Sequence, residues 1–129
     1  MKEFDKNIDE YDLFLKYSKE IGMDTSMIQA AGGNTSIKQN NTMWVKASGK
    51  WLVNSQSDEL MVPLNISKIK EALEDKRCSD NDIMNCVNFE ISPVDLRPSV
   101  EAPMHAVLDF KFVFHTHDIN INSLAVQKN

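Results

Sequence analysis

Residues 32–49 read Gly-Gly-Asn-Thr-Ser-Ile-Lys-Gln-Asn-Asn-Thr-Met-Trp-Val-Lys-Ala-Ser-Gly. Thr35 to Lys38 and Met43 to Ala47 read as two strands, and Gln39-Asn40-Asn41-Thr42 between them has the composition of a turn. The stretch is therefore expected to form a hairpin. Alternation along its second strand makes Trp44 a core or interface residue.

Upstream, Ile8, Tyr11, Phe14/Leu15 and Ile21 place one apolar stripe on an amphipathic helix over Asn7 to Ile21, closed by Gly22. A short turn or helix at Thr25 to Gln29 leads back to the hairpin. Downstream, a short strand is expected at Glu59 to Val62, then helices at Ile66 to Leu73 and Ser79 to Phe89. Ser92 to Pro98 reads as a loop. A helix capped by Ser99 should run to about Asp109, with Pro103 in the permissive first turn. Phe112 to Thr116 is an apolar, β-prone strand ending at His117, and Asn120 to Gln127 is a last helix. No repeat, low-complexity segment or interdomain linker interrupts the pattern. The expectation is one α/β domain over residues 1–129, a single sheet with helices packed on it.

The formal net charge of -5 argues against a broad nucleic-acid footprint, so Trp44, Lys46 and Trp51 are not read as one. A local site for one small anion remains compatible with that balance. Cys78 and Cys86 form no CxxC pair and read as free thiols of a reducing compartment. The polar, acidic start Met1 to Asp5 lacks the apolar region of a signal peptide, and no window has the length of a membrane span. A cytoplasmic protein is expected, with neither membrane nor nucleic acid as partner.

Three groups of residues could carry chemistry. His115 and His117 flank Thr116; on a strand they share a face about 6.6 Å apart, a spacing from which two imidazoles can converge on one ion. Taken alone, the spacing favours the plainer reading, a strand end where two histidines meet solvent. Glu101 and His105 are four apart and would share a helix face, with Glu101 in the first turn where the macrodipole favours its ionised form. A carboxylate there could act as a base, or simply cap the helix. In Gly32-Gly33-Asn34-Thr35-Ser36, with Ser48-Gly49 downstream, the glycines let backbone approach an anion and the polar side chains add neutral donors. An ordinary turn before a hairpin would look the same, and neither a phosphate-binding GK[ST] loop nor a GxGxxG is present.

The order of these weak signals is specific. Gly33-Asn34-Thr35-Ser36, Ser48-Gly49, Pro98-Ser99-Val100-Glu101 and His115-Thr116-His117 follow one another as the motifs of the class II aldolase and adducin family do. The chain resembles the rhamnulose-1-phosphate aldolase-type branch most, through Gly32 to Lys38, Trp44 to Gly49, Arg97 to His105 and Phe114 to Asp118. The resemblance implies a three-layer α/β/α domain with a mostly antiparallel sheet, C-terminally incomplete against the family. It implies a Zn2+ ion held by His115 and His117, with Glu101 as catalytic acid/base. Gly33, Asn34, Ser36, Ser48, Gly49 and Ser99 would surround the phosphate of a sugar-phosphate substrate. The activity implied is retro-aldol cleavage of a phosphorylated ketose in a homo-oligomer, usually a tetramer. The family's third zinc histidine has no counterpart after His117, and His105 is assigned a place behind the glutamate. Two other readings share the scaffold: a sugar-phosphate 4-epimerase, and a non-catalytic, adducin-like domain.

Overall fold

The computed structural model describes residues 8–93 and 95–128. The expected helix start at Asn7, the polar stretch Met1 to Asp5, and Val94 of the Ser92 to Pro98 loop lie outside them. The hairpin forms as β1 (Asn34–Gln39) and β2 (Thr42–Lys46), with Gln39 opposite Thr42 and Asn40 at φ 54° in the turn. Asparagine tolerates that left-handed backbone better than most residues, which suits it to so short a loop. β3 (Met61–Asn65) pairs with β2, and β4 (Phe112–His115) with β1. The sheet order is β3-β2-β1-β4, and every neighbouring pair is antiparallel.

Alternation along these strands feeds two cores. Ile37, Trp44 and Met61 point to one face, where Tyr11 and Phe14 of α1 (Ile8–Met23) cover them together with Ile28 and Leu52. Met43, Val45, Val62 and Leu64 point to the other. There they meet α2 (Ile66–Glu74), α3 (Asp80–Met84) and α4 (Ala102–Val107) through Ile69, Ile83 and Ala106. The result is the expected three-layer α/β/α arrangement, with an antiparallel sheet. α5 (Ile119–Ala125) follows β4, its first turn capped by the Asp118 carboxylate.

Several boundaries differ from those expected, each for a local reason. α1 continues past Gly22 to Met23. β3 starts at Met61, not Glu59, and runs through Pro63 to Asn65. A proline is tolerated there because β3 is an edge strand. The outer side of that edge is partly covered: Asn88 N–H donates to Pro63 O at 2.9 Å, and Val87 bridges Leu64. That covering ends α3 at Met84, well short of Phe89, since Cys86 to Asn88 give their backbone groups to β3. The Ser79–Asp82 capping box fixes the other end of α3. Ser99 does not cap α4 directly. It forms a turn whose Oγ accepts from Glu101 N–H at 3.2 Å, and the helix begins at Ala102 with Pro103 in its first turn.

Phe14 is 1% exposed and its ring packs against Tyr11 and Phe114, centroids 6.0 and 6.3 Å away. Phe14→Ala should lower the unfolding free energy by about 3–5 kcal/mol. Urea denaturation followed by circular dichroism measures it, and a loss below about 1 kcal/mol would contradict this packing.

Candidate functional site

The antiparallel order puts the starts of β1 and β3 and the ends of β2 and β4 at one end of the sheet. The loops carrying the singled-out residues meet there. Asn34 pairs with His115, Ala47 bridges Pro98, and Ser48 N–H donates to Arg97 O at 2.8 Å. His117 N–H donates to Met27 O at 2.6 Å, tying the chain beyond β4 to the segment before the glycines.

Glu101, His115 and His117 each offer a donor atom, and these atoms all lie within 4.8 Å of one another. His115 Nδ1 and Glu101 Oε2 are 2.9 Å apart, and the two imidazole rings stand 5.0 Å apart at 67°. All three side chains are half-buried. The convergence does not come from a shared strand face, since β4 ends at His115. Beyond the strand, the bond from His117 N–H to Met27 O ties the chain down with its ring beside that of His115. Glu101 arrives from the N-cap position of α4, where it makes no capping hydrogen bond with its side chain and so reaches across to His115. Two imidazoles and a carboxylate are zinc-type ligands. A tetrahedral ion at about 2.0–2.1 Å from each would hold them about 3.3 Å apart, slightly wider than the 2.9 Å His115–Glu101 contact and inside the 4.8 Å that spans the group.

The glycine segment lies against this cluster. Gly33 has φ +72°, and a Cβ there would fall 2.0 Å from Ile28 Cδ1 and 3.1 Å from His115 O. At Gly32 a Cβ would come 3.0 Å from His117 Nδ1, so the bare backbone leaves room for that ring. Asn34 is buried, and its Oδ1 has no hydrogen-bond partner among the described residues. Ser48 and Ser99 line a cleft of about 200 Å³ with Arg97 and Val100. Gly49 is exposed beside Ser48. Ser36 lies deeper: it is fully buried, and its hydroxyl shares a 2.7 Å hydrogen bond with His105 Nδ1.

His105 therefore takes no part in the three-donor cluster, despite the helical spacing from Glu101. Burial drives its pKa down to about 4, against an upward pull from the Glu101 carboxylate, while His115 and Lys38 add repulsion. Sequence reasoning missed its pairing with Ser36, because nothing in a spacing of 69 residues signals it. It also passed over Lys46, buried at the end of β2 with its ammonium donating to Ala31 O at 2.9 Å and to Lys50 O at 2.6 Å, although a lysine between apolar positions and a Ser-Gly loop was a visible signal.

Residues 13–129 match the sequence model of the class II aldolase and adducin N-terminal domain. An uncharacterized oxidoreductase of Bacillus subtilis (strain 168), YuxG, is 30% identical over 122 residues, covering 87% of this chain and 18% of that protein. The solved N-terminal class II aldolase domain of a conserved protein from Thermoplasma acidophilum superposes with a TM-score of 0.75 at 26% identity. That likeness covers 100% of this chain and 63% of the solved one. The chain thus spans less than two thirds of the length of either relative.

His105 binds its proton more weakly folded than unfolded, so between its ordinary value of 6.5 and about 4 the unfolded chain holds more protons. Its contribution to stability is complete above pH 6.5 and is lost progressively as the pH falls towards 4. His105→Gln should flatten the stability profile across that window. Chemical denaturation at several pH values reads the difference, and parallel profiles for the two proteins would refute the assignment.

Proposed function

The chain belongs to the class II aldolase and adducin family, and from that premise we propose a zinc-dependent aldolase-type lyase that cleaves a phosphorylated ketose by a retro-aldol reaction. The observation that carries the reading is the meeting of Glu101, His115 and His117 within 4.8 Å beside the Gly32-Gly33 segment. His115 and His117 would hold the ion, with Glu101 as the third donor of the resting site. Zinc there would polarise the carbonyl and hydroxyl oxygens of the substrate. The main-chain groups of Gly33 and Gly49 and the side chains of Asn34, Ser48 and Ser99 would hold the phosphate, with Ser36 supporting them from beneath. Holding the phosphate fixes the distance from anion to reacting carbons, and so presents the scissile bond to Glu101.

Glu101 would take the proton of the hydroxyl next to the scissile bond. The C–C electron pair then passes to the carbonyl, leaving an aldehyde and an enediolate. The protonated Glu101 returns its proton to the enediolate carbon, which completes the ketose fragment. The order of motifs favours a ketose 1-phosphate of the rhamnulose type. A homo-oligomer, up to a tetramer, and a cytoplasmic setting complete the proposal; the free Cys78 and Cys86 suit a reducing compartment. Among the described residues no helix is long and apolar enough to cross a membrane.

Zinc should raise the unfolding temperature of the chain, and His115→Ala with His117→Ala should abolish the rise. In an assay of aldehyde release from ketose 1-phosphates, Glu101→Gln should lower turnover by about 100-fold or more. Identical melting curves with and without zinc would sink the metal reading. Substrate that changes configuration without cleavage would assign the scaffold to a 4-epimerase instead.

A further inference from the structure

The end of the sheet away from the three-donor cluster carries a second opening. There the β1–β2 turn, the first turns of α2 and the segment from α4 to β4 enclose a cleft of about 640 Å³. Its walls are tied together. Asn41 Oδ1 accepts from Ser67 N–H at 3.0 Å and from Ser67 Oγ at 2.8 Å, which fixes the turn to α2. Lys38 Nζ donates to Leu108 O and, at 3.1 Å, to Phe110 O, which fixes the segment beyond α4 to β1. Walls held in this way lose little conformational freedom when a ligand enters.

Lys38, Lys70 and Lys111 all line this cleft, against the single carboxylate of Asp109. They gather there in a chain whose formal net charge is -5. Their partners leave them available. Asp109 Oδ1 stands 3.6 Å from Lys70 Nζ, on a side chain that is 91% exposed. Lys111 pairs with Glu10 of α1, and both of those side chains are exposed. Exposed pairs of this kind contribute little and give way to a better partner. Lys38 uses two of its three ammonium donors, both on neutral carbonyls. Burial lowers its pKa first, with Asp109 pulling up and Lys70 pushing down. Lys38 and Lys70 are therefore close enough to repel, a cost that an anion between them removes. Holding the carbonyls beyond α4 accounts for Lys38 by itself, but gives no reason for Lys70 and Lys111 to share the opening.

The cleft has more room than a lone phosphate needs; its volume is that of a small-molecule pocket. Phe110 lines it beside the lysines with 68% of its surface exposed. An exposed ring next to ammonium groups has the chemistry to stack on a flat base while they hold its phosphate.

We infer that this cleft is a second binding site, for a phosphorylated small molecule of the nucleotide kind: Lys38, Lys70 and Lys111 take the phosphate and Phe110 takes the ring. It lies at the far end of β1 from Asn34 and shares no residue with the proposed zinc and substrate site, so the inference does not rest on the reading of that site.

The test uses the full zinc-free chain, with adenosine monophosphate as the probe and amide NMR spectra as the readout, since the two ends of the sheet then report separately. Adenosine monophosphate should shift the Asn40, Ser67 and Lys70 amides saturably, and adenosine without its phosphate should bind there at least about tenfold more weakly. Lys70→Gln with Lys111→Gln should cost the nucleotide a similar factor at the same amides while circular dichroism stays unchanged. Shifts confined to the Gly33 and Ser48 amides would overturn the inference and leave the phosphate reading of that end standing. Equal binding of adenosine, or unchanged affinity in the folded double variant, would overturn it as well. Should the double variant fail to fold, the comparison of nucleotide with nucleoside in the unmutated chain still decides.

Discussion

The strand at the middle of this architecture is polar and yet buried. Asn34, Thr35 and Ser36 are each at most 1% exposed, in a strand covered on both faces. Buried hydroxyls must be satisfied within the protein, and β1 satisfies them in opposite directions. Thr35 bonds Ser18 of α1 at 2.8 Å on one side, and Ser36 bonds His105 of α4 at 2.7 Å on the other. Apolar contact alone would let either helix slide over the sheet, whereas these two bonds each admit one position. The helix carrying Glu101 at its N-cap is thereby held against the strand whose first residue pairs with His115.

The remaining geometry follows from that registration. With α4 fixed, Glu101 reaches His115; with β1 fixed, the glycine segment that precedes it lies against His115 and His117. The cores on either face supply the bulk of the apolar burial, but they are tolerant of small shifts in a way that hydrogen-bonded pairs are not. Specificity of position thus comes from a few polar bonds set inside a conventional core.

The hairpin, the amphipathic α1 and the order of the site motifs were legible because each depends on neighbours close in the chain. Periodicity exposed the end of α1 to within two residues, and the Asn40-Asn41 turn marked the hairpin. What escaped was set by partners far away. α3 was read too long because its C-terminal half is drawn off to cover β3, and the Ser99 turn delays α4 beyond the point where a serine cap would start it. The histidine pair was singled out for a shared strand face, whereas β4 ends at His115 and the pair meets Glu101 beyond it. Ser36 was read as a donor to the anion because its spacing could not reveal His105. Lys46 was judged by the acidity of the whole chain, which is silent about a single enclosed charge.

The close approach of Gly32 to the His117 ring makes the glycine segment and the three-donor cluster one mutational unit. A side chain of any size at position 32 would displace a prospective ligand, and a different ligand at position 117 would change the room available to the segment. Substitutions at the two places should therefore be strongly epistatic, their combined effect departing from the sum of the separate ones. Redesign of the three-donor cluster and redesign of the glycine segment cannot proceed as independent projects on this scaffold; the sequence space open to one is defined by the choice made in the other.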